Sequence, residues 1–224
     1  MKHLFLTTLF AISIATVNFA SAANIPFIGW NKTAAEYKAQ MADTNVIPMY
    51  RIFCAYMVAQ IETPDAVKDL ASAETFIRAA RKGYNLSDND ADVRNTVISI
   101  VTYAGRPDLA QAILRHPDYA ANPNAILYIK AYRAKKLGIV QTDAERKAVL
   151  AEAMPIAVKR NSLYLADFFL KEYIELTAAD KDEDVLPVLR TVYRLALPKL
   201  EDAKFKPFIV KLSLALKSRG ENVQ

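Results

Sequence analysis

The 224 residues contain one cysteine and five glycines. A lone thiol, Cys54, cannot close an internal disulfide, which excludes the cross-linked scaffold that small exported domains use when their core is too small. Packing alone must hold this fold. Cys54 stands in the apolar stretch IFCAYMV and reads as a small buried hydrophobe, with a reactive or intermolecular thiol as the alternative. Five scattered glycines cannot build GxxxxGK[ST] or GxGxxG, so no backbone cradle for phosphates exists. Histidine is as scarce: there are only His3 and His116. Zinc hydrolase sites need two or three His, or His with Cys pairs. Cys54 meeting His116 would be needed for Cys–His catalysis, and nothing local suggests it. There is no CxxCH for covalent haem. Alternating Val, Ile and Thr runs and Asn-Gly or Asp-Gly hairpin turns are also missing, which argues against strands. No cofactor and no metal are expected.

What is present begins with a leader. Met1 to Ala22 reads MKHLFLTTLFAISIATVNFASA. A short basic start, an uncharged apolar run over 4–17 and a final Ala-Ser-Ala have the three-part layout of a secretory signal peptide. The apolar run falls short of the roughly 20 residues a membrane span needs; an uncleaved anchor is the rival reading. Cleavage before Ala23 leaves a single helical domain over 23–224. In it the apolar stretch 46–61 is interrupted by Arg51, so no transmembrane span is expected. A bacterial periplasm fits this leader and the lack of disulfides, with secretion as the alternative.

Charge excludes a further class. The 29 Lys and Arg and 24 Asp and Glu are mixed along the chain. No basic block tracks a phosphate backbone, so nucleic acid is not an expected partner.

Punctuation is helical. Gly83, Gly138 and Gly220 follow basic residues and read as helix stops. Pro64, Pro107 and Pro123 read as helix starts. Thr33-x-x-Glu36 and Thr142-x-x-Glu145 are capping boxes, and Ser87-x-x-Asp90 and Asp180-x-x-Glu183 are weaker versions. The spacing predicts helices over about 33–42, 45–61, 64–82, 89–104, 107–116, 123–137, 143–160, 162–177, 183–198 and 205–219. Pro48, Pro155, Pro187 and Pro198 lie inside or at the ends of these segments, where they kink or end a helix. The fold class is therefore all-α. About ten helices pair into antiparallel hairpins. Hairpin starts spaced roughly 36 to 43 residues apart suit an irregular, α-solenoid-like stack, with a closed bundle as the alternative.

Residues 97–117, VISIVTYAGRPDLAQAILRHP, carry a resemblance. An apolar helix ends at Tyr103-Ala104-Gly105. A polar turn with Asp108 follows, then Ala110 and Ala112 on a second helix, then Pro117. This resembles a tetratricopeptide-type repeat, and AYRAKKLG (131–138) and SLYLADFFLKEY (162–173) are looser echoes. The resemblance spans roughly 93–178. It departs from the family in lacking the Trp and Leu of the first helix, in a short second helix and in an uneven period. It implies binding of a peptide or protein in the groove of the stack, with no catalysis. Together with the export leader, the expected function is a non-enzymatic interaction module with a protein or peptide partner in the cell envelope.

Candidate contact residues follow from the helical faces. On 123–137, Ile126, Leu127, Ala134 and Leu137 share one side, and Tyr128, Tyr132 and Lys135 share the other. On 162–177 a polar arc of Asp167, Lys171 and Glu175 also holds Tyr164 and Phe168. Aromatic and basic residues are enriched at binding hot spots; the bland alternative is contact with a neighbouring hairpin. The acidic run Asp88-Asn89-Asp90-Ala91-Asp92 lacks the Gly and Glu of a calcium loop and reads as first-turn charge. The C-terminal helix carries Lys204, Lys206, Lys211, Lys217 and Arg219, which read as a solvated face or as a basic amphipathic surface for an anionic membrane. An immunity-type inhibitor of an exported enzyme and a Glu-dependent hydrolase of envelope polymers remain as other functions.

Overall fold

The computed structural model describes residues 32–223. The leader expected over 1–22 lies outside them. The described residues form ten α-helices and one π-helical segment and contain no strand. They gather into two compact units that divide between Ile139 and Val140.

In the first unit the helices are α1 (Ala34–Ala42), α2 (Pro48–Glu62), α3 (Leu70–Gly83), α4 (Asp90–Ala104), α5 (Pro107–Arg115) and the single turn α6 (Pro117–Ala120), followed by the π-helical segment Ala125–Tyr132. The Thr33–Glu36 capping box starts α1 as its sequence requires. Proline occupies the first helical position of α2, α5 and α6, where its missing N–H leaves no hydrogen bond unmade. Pro48 thus opens a helix rather than bending one. The helix expected over 64–82 is broken: a 3₁₀ turn, Pro64–Val67, precedes α3, which Asp69 caps by accepting from the Ser72 N–H. Gly105 ends α4 in the left-handed conformation at φ 68°. Gly83 does not end α3 that way; Asn85 takes the left-handed position at φ 54°. Asn can do so because its short side chain tolerates that region.

The core of this unit is apolar and aromatic, with Tyr37, Ile52, Cys54, Tyr56, Ile77, Val97, Ile98 and Ile113 among its fully buried members. A chain of charges laces its surface. Arg78 joins Glu74 and Asp90, Arg94 joins Asp90 and Asp118, and the Tyr119 hydroxyl donates to Glu74 at 2.8 Å. The acidic run at 88–92 is thereby engaged: Asp90 by two arginines, and Asp92 by Asn89 and by Arg81 at 3.7 Å. Asn89, not Ser87, caps α4.

The second unit comprises α7 (Asp143–Lys159), α8 (Leu163–Leu176), α9 (Asp182–Ala196) and α10 (Lys206–Lys217). It is two helical hairpins. Helix α7 packs on α8 and α9 on α10, and the first helices of the hairpins touch each other, as do the second. The Thr142–Glu145 capping box starts α7. Lys181 precedes α9 without a side-chain cap, so the Asp180–Glu183 box does not form. Pro155 and Pro187 lie within α7 and α9, which run on through them. Arg146 reaches from α7 to Glu172 on α8 with two bonds of 2.6 and 2.7 Å, and Lys147 holds Asp180. Arg219 closes the unit on Asp182 and on the carbonyls of Thr177 and Asp180. Among the described residues, no helix is long and apolar enough to cross a membrane.

Candidate functional site

Helix α8 reads LYLADFFLKEYIEL. Leu165, Ala166, Phe169, Leu170 and Tyr173 recur at helical spacing and are buried. That stripe fixes the helix rotation, and Tyr164, Asp167, Phe168, Lys171 and Glu175 are then carried on the remaining arc. The Tyr164 and Phe168 rings stack one turn apart, with centroids 6.3 Å apart and planes 26° from parallel. Phe168 also meets the edge of the Phe169 ring at 5.8 Å, and it is 36% exposed. Phe168 thus packs against both Tyr164 and Phe169 and keeps about a third of its surface exposed. Charges surround the pair. Asp167 accepts from the Lys211 ammonium of α10 at 2.5 Å, and Lys171 lies 4.0 Å from Glu175. An aromatic anchor with a rim of both signs of charge suits an apolar or aromatic side chain of a partner.

The Tyr128, Tyr132 and Lys135 group is arranged differently from its sequence expectation. The segment over 123–137 is not one α-helix. Residues 125–132 close i→i+5 bonds, as in Arg133 N–H to Tyr128 C=O at 2.9 Å, and a 3₁₀ turn covers Lys135–Leu137. The change of pitch removes the shared face that a 100° step predicts. Tyr128 is 1% exposed within an almost wholly buried stretch, Tyr132 is half-buried and Lys135 is exposed. Arg133, which the sequence reading passed over, is buried with its guanidinium 4.7 Å from the Tyr103 ring centroid and 5.5 Å from that of Tyr132. The apolar run AILYI at 125–129 just before it was the only signal in the sequence.

Nucleophile and acid chemistry gain little from the electrostatics. Cys54 is fully buried, and burial pushes its thiol up to about 12. Its Sγ lies 3.5 Å from Gln40 Oε1, which also accepts from the Tyr50 hydroxyl at 2.8 Å. Burial likewise pushes the Tyr37 and Tyr56 hydroxyls up to about 12. Glu36 and Glu145 are held below the usual carboxylate range by the backbone and hydroxyl of their cap threonines. Asp69 is lowered by the Ser72 hydroxyl and N–H, Asp108 by Arg106 and Glu221 by Arg190. A general acid for sugar cleavage needs the opposite shift. His116 links α5 to α6 with its ring edge-on to Tyr119 at 5.3 Å. Among the described residues, no group of three or more His, Cys, Asp and Glu is placed to hold a metal.

No family model, no curated protein and no solved structure matches this chain. Function must be argued from the chain's own surface. There the arc of α8 is joined by α10, whose Val210 and Leu214 are exposed one turn apart. Neither residue was singled out from the sequence. Their signal is legible in retrospect, because Phe208, Ile209, Leu212 and Leu216 define the buried side and leave positions 210 and 214 opposite.

Proposed function

We propose that this protein is a non-enzymatic helical binding module, of tetratricopeptide-like character, that holds a protein or peptide partner in the cell envelope. The observation that carries the reading is the Tyr164–Phe168 stack, presented on a helix arc rimmed by Asp167, Lys171 and Glu175. A core needs no stacked aromatic pair on its polar arc, whereas hot spots combine such rings with a charged rim. The two-hairpin packing of the second unit supports it by fixing the position of α8, with Arg146–Glu172 and Lys211–Asp167 joining it to its neighbours.

The test is capture from envelope extract of the source cells with the chain from Ala23 as bait. The expected result is one stoichiometric partner, released at least about tenfold more easily from a Tyr164→Ala/Phe168→Ala variant, since a hot-spot anchor contributes about 2 kcal/mol or more. A partner held equally by parent and variant would remove α8 from the account.

A further inference from the structure

We propose that the outer face of α10 binds the surface of an anionic phospholipid bilayer. This rests on a different element and different residues from the α8 arc. Helix α10 is KPFIVKLSLALK, with three lysines and no carboxylate. Its Phe208, Ile209, Leu212 and Leu216 are buried, so the helix is pinned to the unit and its opposite side is preformed. That side presents Lys206, Val210, Leu214 and Lys217 at intervals of one turn: basic, apolar, apolar, basic. Val210 is 49% and Leu214 61% exposed.

The charges favour an external anion. Lys206 and Lys217 make no ion pair among the described residues. Lys211, between them, is shared with Asp167. Lys206 occupies the first turn, where the helix dipole disfavours a cation, so the helix itself gains nothing from it. Phosphate groups of an anionic leaflet supply the missing partners, and long lysine stems let the ammonium groups stay at headgroup level while two aliphatic side chains enter the boundary. The convex side of one helix, with lysines as its only strong donors, suits a plane better than a fitted protein groove.

The experiment is cosedimentation of the chain from Ala23 with vesicles of phosphatidylcholine, pure or with roughly one third phosphatidylglycerol. Starting at Ala23 keeps the apolar leader from partitioning on its own. Binding is expected only to the anionic vesicles, and weakened strongly between about 50 mM and about 500 mM salt. Lys206→Gln/Lys217→Gln should lower partition roughly thirtyfold at low salt. Val210→Ser/Leu214→Ser should lower it by about tenfold or more. Lys159→Gln/Lys181→Gln, an equal charge change at exposed sites off α10, should change it by less than about threefold. Unchanged helicity and Tm in each variant locate any loss at the surface. No binding to anionic vesicles, or equal losses for both lysine pairs, overturns the proposal. Capture of an acidic protein lost in Lys206→Gln/Lys217→Gln, without vesicle binding, overturns it in favour of a protein partner.

Discussion

Two buried side chains show how single residues set the chemistry of this molecule. Cys54 is enclosed among Tyr37, Tyr50 and Phe53 and contacts Gln40, and desolvation keeps its thiol protonated at any physiological pH. Ellman's reagent at pH 8 should therefore leave it untouched in the native state and titrate one thiol in denaturant; fast native labelling would show that the enclosure is open. Arg81 is the other. Its guanidinium is buried and donates to the Ser87 carbonyl at 2.5 Å and to the Thr96 hydroxyl at 2.6 Å, tying the turn after α3 to α4. An Arg81→Met change fills the volume but leaves both acceptors unpaired, and a loss of about 2–4 kcal/mol in urea unfolding is expected. The burial of Cys54 was legible in its apolar surroundings. Arg81 was not, because a basic residue before Gly83 reads as an exposed helix end when it in fact turns inward to bond a loop that sequence cannot place.

At the scale of elements, local chemistry was the most readable part. Both Thr-x-x-Glu boxes form, and Pro107 opens α5 as expected, because these devices act within four residues and need no tertiary context. Thr33→Ala and Thr142→Ala should each cost about 1 kcal/mol in thermal unfolding. The cap carboxylates add a pH dependence. Glu36 and Glu145 are lowered from an ordinary value of 4.5, so their contribution is full above that value and is lost as the pH falls through their folded values. Tm should be level from about pH 7 to 5 and fall below about pH 4, with a shallower fall in Glu36→Gln/Glu145→Gln. A fall that is equally steep in the variant would assign the acid sensitivity to other groups. Sequence failed where tertiary packing overrode pattern. The stretch 125–132 satisfies a helical wheel but is π-helical and mostly buried, with Lys130 and Tyr132 half-buried, and Tyr128 lies inside. At Gly83, nothing local distinguishes a stop from a last helical residue, and Asn85 takes the turn instead.

For the molecule as a whole, the absence of strand signals and the spacing of caps were enough to show an all-helical chain, and the described residues are one. The pairing of α7 with α8 and α9 with α10 was readable from short connections. The division after Ile139 was not, since no Pro-, Gly- or Ser-rich linker marks it. Of the candidate contacts, Tyr164 and Phe168 stand together on one arc, while Tyr128 went to the interior and left Tyr132 and Lys135 without it. What decides between these outcomes is which neighbours cover a face, and a single sequence does not carry that.

The most direct measurement is site-specific photocrosslinking in the source cells, with benzoylphenylalanine replacing Phe168 in one strain and Val140 in another. Val140 is 94% exposed and supplies the background of chance encounters. A binding module that uses α8 predicts one discrete adduct from position 168 and none of that mass from position 140. The same faint ladder from both positions would contradict it.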